Sequence, residues 1–429
     1  MTKNECEEYL LNIPKFKKKT KLSDTKKFYE KIGSPAINVP IIHVAGTNGK
    51  GSTCFYISQI LEKHNLKTAL FTSPHLVRMN ERFVFDKKMI DDEAFVRVFE
   101  KVKNGCNFVD EEEKIEMHPS FFEYLFLMFM VWADEIKPDV IVLETGLGGM
   151  LDATNIFEKP ALSVICSIGT DHVEQLGNTI EEIAAQKAGI IKENVPLVLW
   201  DNGKKINDVI LKKAREKNSR VFLLKEECIS KVQNNENHID FSLSFEYDID
   251  TCVRNLSVKL PTNALYQRIN SSMAILATKV FLGKKSDEKR MASAVGEATF
   301  KGRLEEIAEG FFVDGAHNEN AVDRLLETVK LTKASTLIFG ACKDKDYPLM
   351  LKKLSDSNAF DNIILTKVHS PRAADICELK KCVGDRTVFE AGDLTEAINI
   401  SRHYDGKVII AGSLYLVGEA IAYFEKAES

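Results

Sequence analysis

Short runs of apolar residues recur along this chain, each ending in small or polar turn residues. Longer stretches with apolar positions three and four apart follow them. "NVPIIHVAG" (38–46) reads as a buried strand and "STCFYISQILEKHN" (52–65) as the helix after it. "KTALFTS", "PDVIVLETG", "ALSVICSIGTD" and "VPLVLW" repeat the strand pattern. "FFEYLFLMFMVWA" (121–133) is apolar on every side and predicts a helix buried in a core. "TIEEIAAQKAGIIK" (179–192) predicts a helix with Thr179 near its cap and Glu182 three residues on. Strands alternating with helices imply a largely parallel sheet covered on both faces.

Between about 225 and 260 the texture changes. "HIDFSLSFEYD" alternates apolar and polar residues after the turn-like "QNNENH", which predicts a small antiparallel excursion. A helix at "QRINSSMAILATKVFL" follows. A second α/β run begins near 310, with strands at "GFFVDGAHN", "STLIFGA", "FDNIILTK" and "KVIIAGS". Helices at "AVDRLLETVKL" and "DLTEAINISRHY" lie between them. The polar stretch "KKSDEKRMASAVGEATFKG" (284–302) is expected to carry the connection. The division falls at 1–298 and 299–429.

The length of 429 residues suits two domains. Apolar residues make up 44%, ample for two cores, and the net charge of −5 argues against a nucleic-acid binder that relies on bulk charge. Nine scattered cysteines, without zinc spacing, fit a reducing compartment. No leader pattern opens the chain, and the apolar 121–133 run is too short to span a membrane and holds Glu123. The expectation is a cytoplasmic protein without membrane or nucleic-acid partners.

"HVAGTNGKGST" (43–53) carries the first candidate chemistry. A strand enters it and a helix leaves it, as a phosphate loop requires, but its spacing departs from the usual G-x-x-x-x-G-K-[ST]. Backbone amides of Gly46, Thr47, Asn48, Gly49 and Gly51 can converge on phosphate oxygens, and the helix N-terminus adds its dipole. Lys50 would neutralise phosphate, and Ser52 would hold Mg²⁺ through its hydroxyl. An ordinary glycine-rich turn is the plain alternative. Glu144 ends a buried strand at the sheet edge where the loop opens, which favours a metal role over a capping one. Asp171 and His172 end another strand. Imidazole is an unusual Mg²⁺ ligand, so from chemistry alone His172 reads as a hydrogen-bonded neighbour or a base. Ser73 and His75 lie at a further strand end, and Lys187 is on a helix. Such a lysine is normally solvated; a lowered pKa would let it take up CO₂. "VDGAHN" (313–318) and "AGSLYLVGEA" (411–420) are strand-end turns that could equally be structural or hold an anion or amino acid.

Together "HVAGTNGKGST", "FTSPHLVRMNERF", "LETGLGGMLDATN", "SIGTDHVEQLG", "EEIAAQKAGIIK", "FKGRLE", "VDGAHN" and "AGSLYL" resemble, in order and spacing, the folylpolyglutamate and dihydrofolate synthases of the Mur ligase superfamily. The resemblance spans about 40–420. It implies an α/β chain with a P-loop-containing, Mur-ligase-like ATPase domain bearing a small antiparallel excursion. A smaller Rossmann-like C-terminal α/β domain would follow. It implies an ATP-dependent acid–amino-acid ligase that adds L-glutamate to tetrahydrofolate, and in some members to dihydropteroate, through an acyl phosphate. ATP is the co-substrate, two Mg²⁺ ions assist, and K⁺ is a further cation the site could admit.

By the resemblance, Lys50, Gly51, Ser52 and Thr53 hold ATP phosphate, and Asn270, Arg303 and Asp314 complete the nucleotide site. Ser52, Ser73, Glu144 and His172 bind the metals, and Lys187 matches the family's carbamylated lysine. Ser120, Phe121, Phe122, Glu123, Leu151, Asp152 and Ala153 match the pterin-side walls, and His317 and Ser413 the glutamate subsite. Lys50, Glu144, His172 and Lys187 are the expected catalytic set. A monomer whose lobes close by a hinge near 297–303 is expected. Met150 stands where the family usually has arginine. The segment "FKKKTKLSDTKKFYEK" (16–31) departs from the dihydropteroate-gripping pattern. The alternatives are a Mur-type ligase with another acceptor, or a P-loop ATPase switch.

Overall fold

Strands with every residue buried make up the middle of the first sheet. Ile41–Ala45, Val140–Glu144 and Leu162–Ile165 are sealed end to end, which explains why they read as unbroken apolar runs. The computed structural model describes residues 1–13, 21–109, 116–235, 237–332 and 334–428.

The first sheet has eight strands. Six run parallel, in the order Val221–Leu224, Leu197–Trp200, Leu162–Ile165, Ile41–Ala45, Val140–Glu144 and Thr68–Phe71. Phe83–Phe85 and Lys88–Met89 close one edge antiparallel. Because side chains alternate along a strand, Ile42 and Val44 face one core while Ile41 faces another. Helices Lys50–Lys63 and Gln267–Leu282 cover the first face. Phe121–Ile136, with Leu22–Lys31 and Asp92–Cys106 around it, covers the second. The strongly apolar 121–133 run is therefore the central helix of a core, as expected.

The expected antiparallel excursion is a three-stranded sheet of Ile229–Asn234, Ile239–Glu246 and Cys252–Leu260. The 284–302 stretch, expected to carry the connection, holds regular structure. Much of it is a helix, Glu288–Glu297, capped by Asp287 and burying Met291, Ala294 and Val295. Three apolar residues at helical spacing suffice to dock a segment that is otherwise charged. The crossing itself is 298–302.

The second sheet has six strands, with Phe311–Asp314, Lys407–Ala411, Ala334–Phe339, Asn362–Thr366 and Phe389–Ala391 parallel and Arg303–Ala308 antiparallel at the edge. Helices pack on both faces. Among the described residues no helix is long and apolar enough to cross a membrane. The carboxyl ends of the parallel strands of both sheets open onto one cavity, which the loops after them line.

Candidate active site

The cavity has a volume of about 750 Å³ and draws its walls from both lobes. On the first lobe, the turn after Ala45 runs into helix Lys50–Lys63. Gly49, at φ +80°, caps that helix, and a Cβ there would lie 2.3 Å from Asn270 Oδ1. Glycine is required on both counts. The turn is pinned from the neighbouring strand end: Thr47 and Asn48 donate their amides to Ser167 O at 2.8 and 3.2 Å. Lys50 curls back, its Nζ donating to Gly46 O and Thr47 O, both at 3.2 Å. Ser52 is buried, and its hydroxyl accepts from Gln267 Nε2 at 3.3 Å. A Cβ on Gly51 would come within 3.4 Å of Glu144 Oε2, so the missing side chain leaves that carboxylate approachable.

Glu144 ends its strand almost wholly buried. Burial pushes its pKa up, opposed by Lys50, the Ser73 amide, Arg303 and Arg82. Its hydrogen bond is from Ser73 N at 2.8 Å. Lys187 reaches the cavity floor from helix Ile180–Ala188, which opens with the expected Thr179–Glu182 capping box. Its Nζ donates to Gly46 O at 2.8 Å, and burial, with Lys50 nearby, pushes its pKa down to about 7.

From the second lobe come Arg303, Asp314, His317 and Ser413. Asp314 accepts from Tyr266 Oη at 2.6 Å, Leu304 N at 3.0 Å and Ala316 N at 2.9 Å. Burial nonetheless pushes its pKa up. His317 Nδ1 donates to Gly315 O at 2.7 Å, and burial holds the ring neutral, its pKa pushed down to about 4. Ser413 accepts from Tyr415 N at 3.2 Å, at the mouth of helix Leu414–Glu428.

His172, at φ +52°, places its Nε2 3.1 Å from Lys345 Nζ. Lysine can only donate, so the imidazole accepts and is neutral there. Burial pushes its pKa down in the same sense. Lys345 also meets Asp171 Oδ1 at 2.8 Å, while Asn318 donates to Asp171 Oδ2 at 3.2 Å and exchanges two hydrogen bonds with Asn48. Neither Lys345 nor Arg82, another cavity residue, was singled out from sequence. For Lys345 the available signal was its place after a parallel strand of the second sheet, at the edge where ligands bind.

Several expected residues do not line the cavity. Thr53 is fully buried, its amide donating to Gly49 O and its hydroxyl accepting from Cys166 Sγ. Of the expected pterin walls, Phe121 faces the cavity. Ser120 and Glu123 form a capping box whose acid also accepts from Thr25 Oγ1 at 2.5 Å. Phe122 packs on Phe71 and against Gly146. Asp152 ties the glycine turn down, accepting from Leu147 N and Thr154, and Ala153 is core. Leu151 and Met150 are exposed away from the cavity. The 16–31 departure falls partly outside the described residues.

Residues 44–278 match the model of the Mur ligase middle domain, and 302–414 that of the Mur ligase glutamate ligase domain. The chain is 32% identical over 419 residues to a dihydrofolate synthase/folylpolyglutamate synthase of Bacillus subtilis, covering 94% of this chain and 95% of that one. It belongs to the folylpolyglutamate and dihydrofolate synthase family. Among solved members, the Mycobacterium tuberculosis folylpolyglutamate synthase, complexed with ADP and AMPPCP, superposes with a TM-score of 0.89 at 26% identity over 98% of each chain. The Thermotoga maritima folylpolyglutamate synthase superposes at 0.81 with 30% identity over 100% of this chain and 97% of that one. The α/β architecture is that of the family.

Proposed function

We propose that this chain is an ATP-dependent ligase that joins the amine of L-glutamate to a carboxylate of tetrahydrofolate or its glutamylated forms. The observation that carries the reading is the convergence, in one cavity, of the Gly49–Lys50 turn, Glu144 and Lys187 with Arg303, Asp314 and His317 of the other lobe. A carboxylate is a poor electrophile, so a carboxylate oxygen first takes the γ-phosphoryl group of ATP and ADP leaves. The neutral amine nitrogen then attacks the acyl carbon, the C–N bond forms, the C–O bond to phosphate breaks, and one amine proton leaves with the departing phosphate. The protein's part is positioning and charge neutralisation.

Lys50 and the amides of 46–52 hold the phosphates, Asn270 and Asp314 the nucleoside, and Arg303 bridges from the second lobe. Mg²⁺ fits at Ser52, Ser73 and Glu144. The donors are hard oxygens, and Glu144 is a desolvated carboxylate whose hydrogen-bond partner is a single amide. Among the described residues no group of three His, Cys, Asp or Glu is arranged to hold a metal ion by itself, so the remaining ligands would be phosphate and water oxygens. Held by those oxygens, an ion would supply Lewis-acid neutralisation of phosphate charge. His172 fits a second ion only once Lys345 leaves its Nε2. Lys187, poised near neutrality, is suited to carry a carbamate. His317 and Ser413 are assigned to the incoming glutamate. The lobes, 1–298 and 299–429, act as hinged bodies, and the chain works as a monomer.

The test is ADP release by purified protein with Mg·ATP and L-glutamate, adding tetrahydrofolate or dihydropteroate, with product mass followed. Gain of one glutamate per ADP supports the reading, and the acceptor preference assigns one activity or both. Release with neither acceptor, or none at all, sends the assignment to another Mur-type carboxylate.

A further inference from the structure

Arg82 sits in the 79–82 turn just before strand Phe83–Phe85, with 5% of its surface exposed, and it lines the cavity. Among the described residues its guanidinium makes one hydrogen bond, Nε to His75 Nδ1 at 2.9 Å, and is in no ion pair. Its Cζ lies 5.7 Å from the centroid of the Phe121 ring, the apolar wall on the acceptor side. Arg82 lines the same cavity as Glu144 of the first lobe and Tyr415 of the second. A guanidinium this desolvated, with its terminal nitrogens unclaimed by protein acceptors, is costly unless an anion completes it.

The reaction brings three anions into the cavity. Lys50 and Arg303 serve the nucleotide. Lys345 and Arg372 belong to the second lobe, and Arg372 donates to Tyr415 Oη beside Ser413. Lys187 donates to Gly46 O and Arg324 is paired with Glu327, which leaves Arg82 for the third. We infer that Arg82 binds the acceptor carboxylate that becomes the acyl phosphate, its planar fork orienting one oxygen toward the γ-phosphorus and holding the other. This rests on the ligase reading above.

The test compares binding of tetrahydrofolate and of its γ-carboxamide, in the presence of Mg·ADP, to wild type, Arg82→Gln and Arg82→Lys by calorimetry. Wild type should prefer the acid by about tenfold or more, the worth of a charge-assisted hydrogen bond. Arg82→Gln should lose that preference and keep its ADP affinity. Arg82→Lys, retaining charge without the fork, should keep part of it. Undiminished acid preference in Arg82→Gln, or a collapse of its ADP binding, overturns the assignment. A rise in the KM for glutamate alone overturns it too, since the guanidinium would then face the other substrate. Wild type that binds neither folate nor dihydropteroate would instead remove the ligase reading, and this inference with it.

Discussion

Lys345 Nζ of the second lobe lies 2.8 Å from Asp171 Oδ1 of the first, and the two side chains are 14% and 11% exposed. Burial pushes the Asp171 carboxyl up, but the Lys345 ammonium beside it holds it well below the usual carboxylate range. The pair ties together the strand-end loops that the chemistry must bring into register. Asp171→Asn and Lys345→Met should each lower kcat/KM on the order of tenfold to a hundredfold, about 1.4–2.8 kcal/mol. The double variant should fall little further than the worse single one, as for two halves of one contact. Fully multiplicative losses in steady-state kinetics would separate the residues.

Lys187 carries a pH signature. Its pKa is about 7 in the fold against an ordinary 10.5. Below pH 7 both folded and unfolded chains carry the ammonium, and the full cost of burying it is present. Between 7 and 10.5 the unfolded chain binds more protons, so this group's contribution to stability rises with pH. In CO₂-free buffer Lys187→Met should therefore raise the melting temperature more at pH 6 than at pH 9, while abolishing ligation. Bicarbonate should add one carbamate to wild type in native mass spectrometry and nothing to the variant. A larger thermal gain at pH 9 would show that the amine is not desolvated as described.

How much of this was legible beforehand depended on whether a residue's role is local. Val140–Glu144 declared itself through five buried positions, and Thr179 with Glu182 through a spacing fixed by helix geometry. Lys345 gave no such sign, because its partner is 174 residues away on another lobe. The neighbours Phe121 and Glu123 were expected to share one wall, yet two positions along a helix turn the side chain by more than half a circle. Phe121 faces the cavity, and Glu123 turns back to close the helix cap.

The loop glycines should differ in tolerance. Gly49→Ala puts a Cβ at φ +80° and 2.3 Å from Asn270 Oδ1, so the turn or Asn270 must move. The left-handed backbone alone costs about 1–2 kcal/mol. ATP affinity should fall by about tenfold or more, with the fold retained. Gly51→Ala meets Glu144 at 3.4 Å, a contact a small shift relieves. Its ATP affinity should stay within about threefold, roughly 0.7 kcal/mol. Fluorescence titration with an ATP analogue decides, and equal losses would mean that Gly49 is not under the constraint its geometry indicates.

The division between Phe121 and Glu123 makes the last prediction. Glu123→Ala strips the acceptor from Ser120 N and from Thr25 Oγ1, both buried. Leaving such donors unsatisfied costs about 1–3 kcal/mol each, so thermal stability should drop clearly. The KM for the folate acceptor should hold, because the carboxylate does not reach the cavity. Phe121→Leu works the other way. It conserves bulk in the core, at a cost under about 1.5 kcal/mol, but removes the ring that flanks Arg82 and faces the acceptor. The acceptor KM should rise several-fold while the KM for ATP stays put. If Glu123→Ala raised the acceptor KM at a temperature where the protein is fully folded, the acid would touch substrate after all, and the cavity wall would have to be redrawn through the start of that helix.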